Sequence, residues 1–344
     1  MSKADTAALI IGGGIAGLET ALKLGQGGYT VILAEKESAL GGNVAKLHSS
    51  FPRWEDPQEL IKVKQAELKT LPSVRVLANT EITGLQRQSG GFTAHWTDRA
   101  TQKSGSLPVQ ALIFATGFEL FNASVYGEYG YGIYKNVVNS LEFEHLLGMY
   151  EQRAIHVPES IAFFKCVGSR DRSKGFPYCS KICCMYTAKQ AGLVKKISPD
   201  TQCYVFYMDY RASGKEYEEF VRQVIEERKV RYVRGRPSKV VLENDKLLVR
   251  FEDTLIGVPM EASVDLIVLA SAVVPRPETL ALARMLGLKT DDYGFVEPVY
   301  GSPVRIEERI FMAGGCGFAI ESLGAIAQGA AAAAEVTALF NKSE

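Results

Sequence analysis

The stretch that decides the fold is Ala7-Ala8-Leu9-Ile10-Ile11-Gly12-Gly13-Gly14-Ile15-Ala16-Gly17. Five apolar residues in a row read as a buried parallel strand, and the glycine run ends it at once. Leu18 to Leu24 then reads as a helix facing a sheet, and Tyr29 to Glu35 is a second strand through Val31, Ile32, Leu33 and Ala34. This is a βαβ unit, whose strands run parallel. Gly12, Gly14 and Gly17 satisfy G-x-G-x-x-G, and Glu35 closes the second strand. Gly12 permits the tight turn, Gly14 lets the backbone approach a pyrophosphate, and Gly17 lets helix pack on strand. The helix start at Ile15 and Ala16 offers N–H groups to phosphates, while Glu35 can accept ribose hydroxyls and repel a 2′-phosphate. A tight turn that binds nothing is the alternative, and it fits fewer of these features.

Working outward, shorter strands are expected at Val74 to Ala78 and Gly91 to Thr97, and a buried one at Ala111 to Ala115 that stops at Thr116-Gly117. The apolar pattern restarts at Ile161 to Lys165. A helix at about Ser180 to Lys195, a strand at Cys203 to Met208, a charged helix at about Tyr217 to Arg228 and strands at Lys246 to Phe251 and Asp265 to Ala270 complete a second α/β unit. A leucine-rich helix at Thr279 to Leu286, a strand at Arg309 to Ala313 and an alanine-rich helix from Ser322 return to the first. The expected domains are residues 1–156 with 273–344, and 157–272.

At 344 residues, two to three domains are expected. Hydrophobic residues make up 47% and charged residues 23%, the balance of a chain with ordinary cores. Thirty-nine basic residues cancel thirty-nine acidic ones, so no long-range field favours nucleic acid or an anionic membrane. The N-terminal stretch is too short and too soon broken for a signal peptide. Leu323 to Phe340, interrupted by Gln328 and Glu335, is too weakly apolar to span a bilayer well. A cytoplasmic protein without membrane insertion is expected. Six cysteines, four crowded between Cys166 and Cys184, look like reduced ligands rather than a disulfide framework.

Three further pieces resemble two-dinucleotide-domain flavoproteins of the thioredoxin-reductase kind. Glu35 is followed by Gly41-Gly42, an ExxxxxGG arrangement; Ala115-Thr116-Gly117 is similar to an ATG strand end; and Ala313-Gly314-Gly315 stands where an AGD triplet is usual. The resemblance implies FAD, held by Gly12, Gly14, Ile15, Ala16, Gly17, Glu35, Lys36, Gly42, Asn43, Ala115, Thr116, Gly117, Gly314 and Ser322. Gly315 replaces the aspartate that holds the ribitol. Ser322 can cap the helix behind it, whose N-terminus would favour charge on a reduced flavin.

Cys166, Cys179, Cys183 and Cys184 follow C-x12-C-x3-C-C. With a helix starting near Pro177, Cys179 and Cys183 share a face and Cys184 diverges by about 100°. Diverging thiolates suit the separate corners of a [4Fe-4S] cluster better than the single centre of a zinc ion. Lys165, Arg170, Arg172 and Lys181 could offset its charge. Cys166 follows the first strand of the second unit, where a nicotinamide domain needs its own glycine loop, and a single Gly168 cannot make that turn.

CVGSRD from Cys166, YCSKICCMYTAKQA from Tyr178 and Asp209-Tyr210-Arg211-Ala212-Ser213-Gly214-Lys215 resemble the flavin-bearing A-type subunit of heterodisulfide reductases, over nearly the whole chain. The length resembles the short A-type form found in the bacterial sulfur-oxidising heterodisulfide-reductase-like complex. Implied are an oxidoreductase passing electrons between FAD, a [4Fe-4S] cluster and B- and C-type partner subunits, a homodimer, and no substrate-attacking catalytic residue. The A-type component of a quinone-interacting membrane oxidoreductase and an NAD(P)H-dependent disulfide or ferredoxin reductase are the rivals. Cys203 reads as core, Cys316 as a small packed residue or a redox thiol, and His48, His95, His145 and His156 show no ligand spacing.

Overall fold

The computed structural model describes residues 6–342, so the N-terminal stretch read for a leader lies mostly outside the described residues. The chain divides into two compact units. Unit 1 takes residues 1–45, 58–119 and 274–344; unit 2 takes 46–57 and 120–273.

In unit 1, the opening strand Ala7–Ile11 lies between Thr30–Ala34 and Ala111–Phe114, parallel to both. The sheet runs in the order Arg305–Glu307, Ile310–Met312, Ala111–Phe114, Ala7–Ile11, Thr30–Ala34, Val74–Leu77, with only the first of these antiparallel to its neighbour. Ala8, Leu9 and Ile10 are wholly buried because both faces are covered. Ala8 and Ile10 pack beneath the first helix, Ile15–Gln26, and the C-terminal helix, Ser322–Lys342. On the other face Leu9 and Ile11 meet an antiparallel sheet of Thr80–Gln88, Gly91–Asp98 and Ser104–Val109 through Ile82, Leu85, Phe92 and Val109.

Unit 2 repeats this plan. Its parallel sheet runs Arg231–Arg234, Gln202–Tyr207, Ser160–Val167, Leu266–Ser271, Val137–Asn139. Helices Ser140–Glu151, Cys183–Ile197 and Tyr217–Glu226 cover one face, packing on Ile161, Phe163, Val205 and Val268. The antiparallel strands Lys239–Glu243, Lys246–Asp253 and Val258–Val264 cover the other, against Ala162, Phe164, Ile267 and Leu269.

Residues 120–156, expected in the first domain, group with unit 2. Val137–Asn139 is a strand of its sheet, and Tyr126 and Tyr129 stack with ring centroids 5.4 Å apart while Tyr129 packs edge-on against Phe164. Segment 46–57 also joins unit 2. The Lys189 ammonium, nine-tenths or more buried with its partner Glu144, forms an ion pair of 2.5 Å and donates to the Ser49 carbonyl. The Glu144 carboxylate also accepts the His48 N–H and the Gln190 amide. Breaking such a pair on one side costs about 3–5 kcal/mol, and the segment is tied to it through His48 and Ser49 while Phe51 and Trp54 pack on the core beneath the helices.

The C-terminal helix is long and apolar enough, by length and composition, to cross a membrane, but a third of that window is buried inside the protein. Gly329 lies directly over the first helix: an added Cβ would sit 2.6 Å from the Ala16 carbonyl oxygen, and the Thr20 hydroxyl donates to the Gly329 carbonyl.

Candidate functional site

The glycine loop of unit 1 is built for close backbone approach. Gly12 has φ of +110°, and an added Cβ would lie 2.4 Å from the Ala115 carbonyl oxygen, so only glycine fits. A Cβ on Gly17 would meet the Gly12 carbonyl oxygen at 2.0 Å. Gly14 differs: nothing in the protein lies within 4 Å of where its Cβ would be, and its φ of −69° tolerates any residue. Its lack of a side chain therefore keeps space open beside the first N–H groups of the helix, at Ile15, Ala16 and Gly17. Gly117, with φ of +72°, borders open space in the same way.

Distant segments converge on this loop. The Gly41 N–H donates to the Gly13 carbonyl, and a Cβ on Gly42 would come within 3.0 Å of the Gly14 Cα. The Glu35 carboxylate, buried, accepts the Gly13 N–H at 2.7 Å and the Glu37 N–H at 2.9 Å. These bonds fix its orientation and leave lone pairs for two ribose hydroxyls. Gly314 approaches Ala16, and its N–H donates to the Gln328 side chain at 2.9 Å. Asn43 donates to the Phe118 carbonyl at 3.3 Å. The residues present thus fit a dinucleotide, with an open cradle at Gly14 and an anchored acid at Glu35.

Four expected contacts are redistributed. Lys36 pairs with Glu278, and the Thr116 hydroxyl meets the Thr279 hydroxyl at 2.6 Å. The Ala325 N–H donates to the Glu321 carbonyl, so Glu321 rather than Ser322 holds the cap position of the C-terminal helix. Gly315 has a steric reason: an added Cβ would stand 2.5 Å from the Phe118 ring, so an aspartate has no room. Cys316 is buried with its thiol donating to the Phe114 carbonyl at 3.0 Å, and burial pushes it up to about 11. That environment keeps it a thiol, the packed alternative. Burial likewise pushes Cys203 up to about 12.

Unit 2 arranges its corresponding strand end otherwise. Cys166, the last residue but one of Ser160–Val167, is a non-glycine residue at φ of +61°, and the helix begins only at Cys183. The intervening loop folds on itself. Phe176 N–H donates to the Gly168 carbonyl and Arg170 N–H to the Tyr178 carbonyl, while the hydroxyls of Ser169 and Ser180 meet at 2.6 Å. Asp171 closes it, accepting the Tyr126 hydroxyl at 2.6 Å and an Arg236 N–H at 2.9 Å. The Phe121 ring fills the space over Gly168, 2.4 Å from where a Cβ would be. No room for a phosphate turn is left there.

Cys179 therefore precedes the helix instead of sharing a face with Cys183. Lys181 at φ of +57° and the Ser180 hydroxyl, tied to Ser169 and the Val273 N–H, hold the chain out of helical conformation. Cys183, Cys184 and Ala270 form one buried contact cluster. Cys183 neighbours both Cys166 and Cys184, and that proximity lowers Cys166 and Cys184 and raises Cys183. The Arg211 N–H donates to the Cys184 sulfur at 3.3 Å and the Lys181 N–H to the Cys179 sulfur at 3.4 Å. Lys165, almost fully buried, donates to the Asp209 carbonyl and acts on both Cys166 and Cys184, while Arg170 pairs with Asp209 at 2.6 Å. Arg172 is exposed and takes no part.

Among the described residues, no group of three or more His, Cys, Asp or Glu gathers around one point tightly enough to hold a metal ion. The thiols nonetheless have N–H donors, on Lys181 and Arg211, and a buried cation, Lys165, beside them.

Residues 6–149 match the family described as pyridine nucleotide-disulphide oxidoreductase. The A-type iron-sulfur subunit of the CoB–CoM heterodisulfide reductase of Methanocaldococcus jannaschii is 31% identical over 89% of this chain and 59% of its own length. Its namesake from Methanopyrus kandleri is 30% identical over 98% of this chain and 65% of its own. The chain thus spans about three-fifths of the curated relatives it matches. Thioredoxin reductases of T. acidophilum and Lactococcus lactis superpose with TM-scores of 0.70 and 0.71 at 17% identity, covering 98% of this chain and 98% and 100% of theirs. With its glycine loop, its second strand end rebuilt around cysteines and its thioredoxin-reductase-like α/β fold, the chain is homologous over most of its length to the A-type subunits of heterodisulfide reductases.

Proposed function

We propose that this chain is the flavin-bearing electron-transfer subunit of a heterodisulfide-reductase-like complex, in which unit 1 holds FAD and Cys166, Cys179, Cys183 and Cys184 hold a [4Fe-4S] cluster. When bound, the flavin takes electrons in pairs and the cluster passes them singly. Glu35 would orient the adenosine ribose, and the helix start at Ile15 to Gly17 would face the pyrophosphate. Lys165 and the N–H groups of Lys181 and Arg211 would offset negative charge on the cluster sulfurs. B- and C-type iron-sulfur and disulfide-reductase-like subunits are the proposed partners of a cytoplasmic homodimer, and sulfur oxidation its setting.

The observation that carries this reading is the folded loop 168–182, which puts thiols at a strand end where a phosphate turn would be needed to bind NAD(P)H. Purification without oxygen, followed by assay of flavin, iron and acid-labile sulfide, tests it. One FAD with about four iron and four sulfide per chain is expected. Near-zero iron after reconstitution overturns it, and rapid stoichiometric bleaching by NADPH would instead establish the NAD(P)H-dependent reductase.

A further inference from the structure

Glu35 follows the second strand of unit 1, and Lys36 comes next. Nucleotide loops that accept a 2′-phosphorylated ribose do so with a cation near that acid, so Lys36 stands where such a cation would serve. It is already taken. Its ammonium donates to Glu278, which lies in the first turn of the helix Pro277–Met285. The next residue, Thr279, is wholly buried, and its hydroxyl meets the Thr116 hydroxyl at 2.6 Å. That contact ties the helix start to the Ala115-Thr116-Gly117 strand end of the same site, so Glu278 is held in place by more than its lysine.

The surroundings are acidic as well. Arg99 reaches the same strand end, where it stands 3.8 Å from Glu37 and 3.9 Å from Glu81. Glu35, Glu37, Glu81 and Glu278 thus outnumber Lys36 and Arg99. One Glu278 oxygen takes the lysine; the other is closed off from solvent and accepts no hydrogen bond from the described residues. Burial works against the charge of this carboxyl, but the bond from Lys36 outweighs it and holds the group below the usual range, so it is ionised. A phosphate brought to the ribose end would meet this charge with no cation left to receive it.

We propose that Glu278 is a specificity-determining residue of the nucleotide site: by holding Lys36 it denies a 2′-phosphate its cation and leaves the site to adenosine with a free 2′-hydroxyl. The inference rests on the reading of unit 1 as the FAD site. Adenine dinucleotides with and without the 2′-phosphate compete for such loops, and Glu35 discriminates only through its own charge. The second acid adds a penalty against the wrong ligand, because it turns a lysine that would attract the phosphate into a neutral pair.

The test uses the full chain, stripped of flavin and shown to take FAD back, titrated by calorimetry with ADP-ribose and with 2′-phospho-ADP-ribose, which differ only in the phosphate. The wild type is expected to prefer ADP-ribose. Glu278→Gln should bind 2′-phospho-ADP-ribose about tenfold more tightly than the wild type does, about 1.4 kcal/mol, and ADP-ribose within about twofold of it. Adding Lys36→Met to Glu278→Gln should cancel that gain, since the gain is the lysine's. A merely structural role would weaken both ligands alike and leave the lysine nothing to cancel. An unmoved preference in Glu278→Gln, or a gain that survives Lys36→Met, overturns the proposal and leaves the FAD site standing; a wild type that binds neither FAD nor ADP-ribose removes the underlying reading instead. Should Glu278→Gln fail to fold, Glu278→Ser, which suits the first turn of a helix, takes its place, with the same outcomes deciding.

Discussion

Units 1 and 2 share one plan, a parallel sheet with helices on one face and three antiparallel strands on the other, yet their first strand ends do opposite things. In unit 1 residues 12–14 suffice to pass from strand to helix, beside the open space at Gly14. In unit 2 residues 168–182 intervene, laced by their own hydrogen bonds and plugged by Phe121. The scaffold tolerates either because its stability comes from the buried strands behind the loop. The difference lies in the loop alone, which leaves N–H groups free at one strand end and fills the other with thiols and side chains.

The contrast breaks most sharply with Cys183→Ala together with Cys184→Ala. Complete loss of the cluster's visible absorption is expected with FAD content unchanged, and joint loss of both would show that the strand ends are not independent. Gly14→Ala should leave the thermal midpoint unchanged, since its Cβ meets nothing, while weakening FAD about 10- to 100-fold, about 1.4–2.8 kcal/mol, by fluorescence titration. Gly12→Ala is the counter-test: with φ positive and a carbonyl at 2.4 Å it should cost about 2 kcal/mol or more of stability itself.

Asp171→Asn probes the unit 2 loop. The Tyr126 hydroxyl, with Ser173 and Arg236, holds this carboxyl well below the usual range. Its contribution is therefore present above the unfolded value of about 3.9 and is lost as pH falls towards the depressed native one. Urea unfolding should show the variant about 1–3 kcal/mol less stable at pH 7, with the gap narrowing below about pH 4. A gap constant with pH would mean that the charge does not tie the loop. The smallest effect is expected for Cys316→Ser, which keeps a donor to Phe114; stability within about 1 kcal/mol and an unchanged flavin potential would confirm a packed thiol.

Much of this was legible because local chemistry carried it. Gly12 to Gly17 with Glu35 announces a nucleotide loop at short range, and the apolar runs around it have one way to bury both faces. The helix Ser140–Glu151 is also signalled locally, by Asn139 and Glu142, whose capping box the structure makes; apolar spacing alone passes over it. The strand Arg231–Arg234, with only Tyr232 and Val233 between two arginines, carries no such pattern, so this edge of the second sheet was hidden.

From residue types and spacing alone came the two α/β units, the tight glycine turn after the first strand, the acid that closes the second strand and the crowding of four cysteines in the second unit, because each is a constraint on neighbouring backbone. Only the tertiary structure decided that Cys179 stands outside the helix, that Phe118 excludes an acid at position 315, that Lys36 is spent on Glu278 and that the Tyr232 hydroxyl is buried without a partner. Those outcomes depend on which distant residue reaches a given space first, and sequence neighbours carry no record of that competition.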